Sequence, residues 1–158
     1  MNCSSKQTEI SKYKYMYAKA FRFFLVFLFF LGVSIVRIFA QEPSWVPGTP
    51  SVVSTGVFSI TVNYGINMTG KIYIVVMNNA SGYISGSVRW LAQQPIGGII
   101  EDNAVITIAA GDVGTIFQRT FSVATAGRSY NVWLVAESSG GVLQATPTKL
   151  LATTLPCP

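Results

Sequence analysis

The segment after residue 40 carries Glu42, Glu101, Asp102, Asp112 and Glu137 as its acids, and the chain has no histidine. Histidine is the usual general base near neutral pH and the commonest transition-metal ligand, so both roles would fall to other residues. Glu101 and Asp102 are the one adjacent acidic pair. Neighbouring side chains on an extended chain point to opposite sides. That places the pair poorly as acid and base, and it reads as a solvated loop. Asp102, Asn103 and Asp112 offer oxygens for a calcium ion, but no ligand-loop spacing accompanies them. A nucleophilic serine would need a base beside it, and none is identifiable. No catalytic residue, cofactor or metal site follows, and the chain reads as a non-enzyme.

Residues suited to binding are more evident. Trp45, Trp90 and Trp133 can contact sugar or protein, since tryptophan is enriched at interaction hot spots. Trp133 points opposite to Tyr130 and Val132, which places it on an outer sheet face or packed under a loop. Arg89 beside Trp90 makes the most evident surface anchor, so Arg89, Trp90 and Trp133 are the candidate ligand contacts. Arg119 shares a face with Phe117 and Phe121, which suits an edge strand or a bulge that lets it reach water. Cys157 lies between Pro156 and Pro158; in an oxidising compartment it can cross-link to another chain. Asn67-Met68-Thr69 and Asn79-Ala80-Ser81 fit the glycosylation sequon, which matters only in a eukaryotic secretory pathway.

Charge divides the chain unevenly. Lys6, Lys12, Lys14, Lys19, Arg22 and Arg37 against Glu9 account for the whole net charge of +5. The remainder is neutral and has no basic stripe, which argues against a nucleic-acid partner. Phe23 to Val36 is a continuous apolar run, followed by Arg37-Ile38-Phe39-Ala40 and the polar start Gln41-Glu42-Pro43. A basic region, a short apolar core and a small residue before a polar start compose a secretory signal, with the cut between Ala40 and Gln41. The alternative is a retained anchor over 18–40, with arginines snorkelling at both ends. Either way the C-terminal part leaves the cytoplasm for the periplasm, cell surface or exterior, and contacts membrane only through an uncleaved leader.

The positions that hold these side chains read as strands. Residues 41–51, with Pro43, Pro47 and Pro50, read as an extended linker. An early strand lies around Val52-Val53. Phe58 to Tyr64 alternates with period two, so Phe58, Ile60, Val62 and Tyr64 would face a core. Lys71 to Met77 is apolar on both faces, as a central strand is. Asn78 to Gly86 reads as loop, and Ser87 to Leu91 as one helical turn too short to be a structural helix. Strands follow at 104–109, 116–123, 130–137 and 149–154, separated by Gly-rich turns. About seven strands result, with no amphipathic helix to cover a sheet. The fold class is therefore all-β: a two-sheet antiparallel sandwich over 52–155, with a hydrophobic leader helix before it and a tail at 156–158.

At Ser129 to Thr154 (SYNVWLVAESSGGVLQATPTKLLATT) the chain resembles the end of a fibronectin type III domain, an immunoglobulin-like sandwich. Tyr130 matches that family's tyrosine corner, whose hydroxyl bonds back to nearby backbone. Gly70 to Val76 is similar to the Gly-x-x-Tyr-x-Val-Val strand of modules in exported Bacteroidetes surface proteins. The early strand departs from the family by offering Phe58 or Tyr64 where a buried tryptophan is common. No Arg-Gly-Asp is present, so integrin recognition does not carry over. The resemblance implies a structural or adhesive module outside the cell, or alternatively a module binding protein or glycan through exposed tryptophans.

Overall fold

The computed structural model describes residues 41–78 and 81–158. The leader, its alternative as an anchor, and Ala40 of the expected cut lie outside the described residues. So do Asn79 and Ala80 of the second sequon. Gln41 to Pro158 forms one compact unit.

Its strands are β1 (Ser51–Thr55), β2 (Ser59–Tyr64), β3 (Gly70–Met77), β4 (Ile100–Ile108), β5 (Phe117–Ser122), β6 (Ser129–Ser138) and β7 (Thr148–Thr153). A helix α1 (Ser85–Leu91) joins β3 to β4, and a 3-10 turn (Ala110–Asp112) precedes β5. They form a three-stranded sheet β1-β2-β5 and a four-stranded sheet β4-β3-β6-β7, antiparallel throughout. The expected all-β sandwich and its seven strands are therefore present.

The period of two in β2 buries Ile60, Val62 and Tyr64 and leaves Ser59, Thr61 and Asn63 half-buried. Phe58 departs from expectation and is 52% exposed. It lies in the bend before β2, where the strand alternation has not begun; its carbonyl accepts from Val123 N–H at 3.1 Å. Ile72, Ile74 and Val76 of β3, with Val132, Leu134 and Ala136 of β6, pack against β2 and Phe121 to fill the interior. Burying one such side chain contributes about 1.5–3 kcal/mol.

The opposite faces of β3 and β6 are apolar too. Tyr73, Val75, Met77, Trp133 and Val135 form a second buried cluster, closed by Val88, Leu91 and Ala92. This corrects the expectation that no helix covers a sheet. Residues 85–91 make two turns rather than one, and Val88 and Leu91, three apart, face the sheet together. So short a helix is marginal alone, and Ile84 provides no side-chain cap. Tertiary contacts hold it: the Asn103 amide on β4 donates to Gln94 O at 2.7 Å and to Leu91 O at 3.4 Å.

Residues 41–51 are likewise tied into the sandwich, where the sequence suggested a linker. The Trp45 indole donates to Thr148 Oγ1 at 2.9 Å, and Gln144 Nε2 donates to Pro43 O at 3.1 Å. Val46 N–H bonds Gly65 O at 2.9 Å. Proline blocks helix but leaves carbonyls and indole free to bond, so composition alone does not separate a linker from a strap.

The segment from Gln41 carries its own closed core. Expressed alone, it will give a β-type circular dichroism spectrum and a single cooperative unfolding transition. Within it Ile74→Ala will lower stability by about 2–5 kcal/mol. Leu151→Ala, at a side chain 68% exposed, will shift it by less than about 0.5 kcal/mol, both read from denaturant midpoints.

Candidate functional site

The acid pair sits on β4 rather than in a loop. Val76 pairs with Asp102 and Met77 with Ile100, so Glu101 is the extra residue of a β-bulge. The bulge breaks the alternation that would aim neighbouring side chains apart, and both carboxylates reach the chain at the end of β5. Glu101 accepts from Ala124 N–H at 3.0 Å and from the Asn78 amide at 2.8 Å. Asp102 accepts from Ser122 N–H and Asn103 N–H, both at 2.8 Å. The pair thus fastens one sheet to the other.

The remaining acids are also engaged. Glu42 accepts from Ala145 N–H at 2.6 Å, and Asp112 from Ala109 N–H at 3.3 Å. Glu137 accepts from the Tyr73 hydroxyl at 2.6 Å and pairs with Arg89 at 3.1 Å. Tyr73 is pushed up to about 12, first by burial, then by its hydrogen bond to Glu137 and that residue's charge, with Arg89 opposing. Among the described residues no three of His, Cys, Asp or Glu gather where they could hold a metal ion.

The binding candidates separate. Trp133 lies on the outer sheet face but is only 7% exposed. Tyr83 meets its ring edge-on at 5.7 Å, Lys149 lies 5.5 Å from its centre, and its buried Nε1 has no partner. Trp133 is therefore corrected from ligand contact to packing residue. Trp90, on the solvent side of α1, is 60% exposed. Arg89 pins α1 to β6 through Glu137. Arg119 stands opposite Val62 on edge strand β5 and reaches outward over the Phe121 ring, 5.5 Å from its centre. Cys157 is free and exposed. Asn67 is exposed in its turn, its side-chain oxygen taken by Ser44 N–H at 2.9 Å.

Tyr130 is fully buried at the start of β6. Its hydroxyl donates to Thr125 O at 2.9 Å and accepts from Thr125 N–H at 3.0 Å. A tyrosine at this place, bonded to backbone just upstream, locks the turn into its strand as a tyrosine corner does. The fold is fibronectin type III-like. Among solved structures, the chain is similar to the solution structure of the fibronectin type-III domain of human fibronectin type III domain containing protein 3. The identity is 13% and the TM-score 0.40, over 75% of this chain and 88% of that one. No protein-family model and no curated protein matches the chain.

One feature of this fibronectin type III-like sandwich escaped sequence reasoning. Helix α1 covers the outer face of the four-stranded sheet only from Tyr73 onward. Beyond it lies a concavity of about 370 Å³ lined by Thr69, Lys71, Thr107, Glu137 and Ser139, among others. Lys71 has Thr107 and Glu137 as its cross-strand neighbours. The available signal was Lys71 itself, the charged first side chain of an otherwise apolar strand.

Tyr130→Phe leaves the Thr125 N–H without its partner, while Thr125 O keeps the Thr154 hydroxyl at 3.2 Å, and will cost about 1–3 kcal/mol, measured by urea unfolding. Tyr73 sets an alkaline limit. Its ordinary value is 10.0 and the fold holds it up to about 12. Its contribution is complete below pH 10 and declines as pH rises from there towards 12. In Tyr73→Phe, that part of the decline will be absent from stability measured across the same interval.

Proposed function

We propose that the chain is an exported, non-catalytic module that binds or spaces at the cell exterior. The observation that carries this reading is the commitment of every acid from Glu42 to Glu137 to a hydrogen bond or ion pair that holds the fold. With histidine absent, the carboxylates that would have to act as general base already serve the fold. The basic segment, the apolar run over 23–36 and the small residue at Ala40 support export. The neutral folded part favours a protein or glycan partner over nucleic acid.

Trp90 supports a second reading, contact through side chains on α1. It is the most exposed of the three tryptophans, and the Arg89–Glu137 pair orients the helix that bears it.

N-terminal sequencing of secreted protein tests export: the product will begin at Gln41, and a product retained in the cytoplasm from Met1 overturns it. The Glu101→Gln, Asp102→Asn double substitution keeps the shape and removes charge. It will lower stability by about 1–3 kcal/mol while binding to any extracellular partner persists in the folded fraction. Trp133→Ala will cost about 3–5 kcal/mol by opening a cavity. Trp90→Ala will leave the denaturant midpoint in place, so any partner binding it loses is a direct contact.

A further inference from the structure

We propose that the concavity at the uncovered end of the four-stranded sheet binds a small acidic sugar, with Lys71 receiving its carboxylate and Glu137 its hydroxyls. This rests on the reading of the module as a binder and gives that binder a ligand class.

Charge sets this end of the sheet face apart. Lys71 and Glu137 are direct cross-strand neighbours, and a salt bridge between them would be the ordinary outcome. Instead the carboxylate turns to Tyr73 at 2.6 Å and Arg89 at 3.1 Å. Among the described residues the Lys71 ammonium is left with no carboxylate in ion-pair range. Two cations and one anion therefore share this end of the face, a surplus of one positive charge that suits a monoanion.

Donors and acceptors then narrow the ligand. Lys71 offers up to three N–H donors, and Thr107 adds a hydroxyl for which no bond within the described residues is present. Ser139 Oγ accepts from Thr69 at 3.1 Å and keeps its own proton to donate. Glu137 holds one donor on each oxygen, and each oxygen retains a second lone pair. Arg89 and Tyr73 have already fixed its orientation, so accepting a ligand hydroxyl demands no rearrangement. A simple carboxylic acid would use only the lysine. A phosphate would set two charges against the Glu137 carboxylate. A ring carrying one carboxylate and several hydroxyls uses both sides. The volume, about 370 Å³, lies at the small end of ligand pockets and suits one or two sugar rings.

The test is an amide chemical-shift titration of the segment from Gln41 with glucuronate, glucose and acetate. Glucuronate will give saturable shifts at the Lys71, Thr107 and Ser139 amides, and glucose and acetate will bind at least about tenfold more weakly. Lys71→Met, at an exposed side chain, will keep a native-like spectrum and weaken glucuronate by about tenfold or more, as loss of a charge-assisted bond does. Lys71→Gln serves as the second variant and will weaken it likewise. Leu151→Ala, at an exposed side chain outside the lining of the concavity, will bind glucuronate as the parent does. Absence of saturable shifts at those amides overturns the proposal, as does parental affinity in both Lys71 variants. Acetate binding as tightly as glucuronate also overturns it, leaving an anion site without sugar recognition. Export is read separately by N-terminal sequencing, so a failed titration beside a Gln41 start removes the sugar site and leaves an exported spacer.

Discussion

Two strands that are apolar on both faces govern this molecule. β3 and β6 lie side by side at the centre of the four-stranded sheet, and every residue of β3 from Ile72 to Met77 is buried. A sheet with such a centre cannot leave either face to water. The second sheet covers one side, as sandwiches require. The other needs a separate cover, and the long connection between β3 and β4 supplies it. Helix α1 is there because the sheet must be closed, not because residues 85–91 favour helix. Its glycine and serines are poor helix formers, and its hold comes from Val88, Leu91, the Asn103 amide and the Arg89 ion pair.

The same constraint assigns the polar groups their places. With the central strands apolar on both sides, charges fall at strand ends, edges and connections. There they meet backbone N–H groups that the ladders leave open. Glu101, Asp102, Asp112 and Glu42 each accept from such a group. These bonds are charge-assisted, stronger than neutral ones; that of Asp112 closes a local turn, and those of Glu101, Asp102 and Glu42 join segments far apart in sequence. The acids thus act as fasteners in a fold without a disulfide among its described residues.

How much of this was legible depends on the range of the signal. Period two in residues 60–64 and 130–136 and apolarity on both faces of 71–77 are local patterns, and they located β2, β3 and β6. Tyr130 was legible through its resemblance to a family motif. The role of α1 was not, because its apolar stripe is only Val88 and Leu91, too little for a periodicity argument. The cue lay elsewhere, in the double apolarity of 71–77, which implied a second cover as well as a second sheet. Glu101-Asp102 misled because opposed neighbours hold only for regular strands, and the bulge is set by pairing with Val76 and Met77. Trp133 was correctly aimed at the outer face, but its burial depends on Tyr83 and Lys149, which strand periodicity does not reach.

The sheet edges bear on how such a module meets its surroundings. An open edge strand invites pairing with another chain, and this sandwich has β1 and β5 on one sheet, β4 and β7 on the other. β1 carries an irregularity between Val52 and Ser54 and is entered through Pro50, while β4 carries the Glu101 bulge. β5 presents Arg119 and β7 presents Lys149. A bulge, a proline entry and charged side chains at edges are the devices that discourage strand addition. Main-chain pairing is therefore the disfavoured mode of contact. In the binding role proposed above, recognition falls to side chains on the faces and connections, Trp90 on its helix and Lys71 beyond the helix's reach.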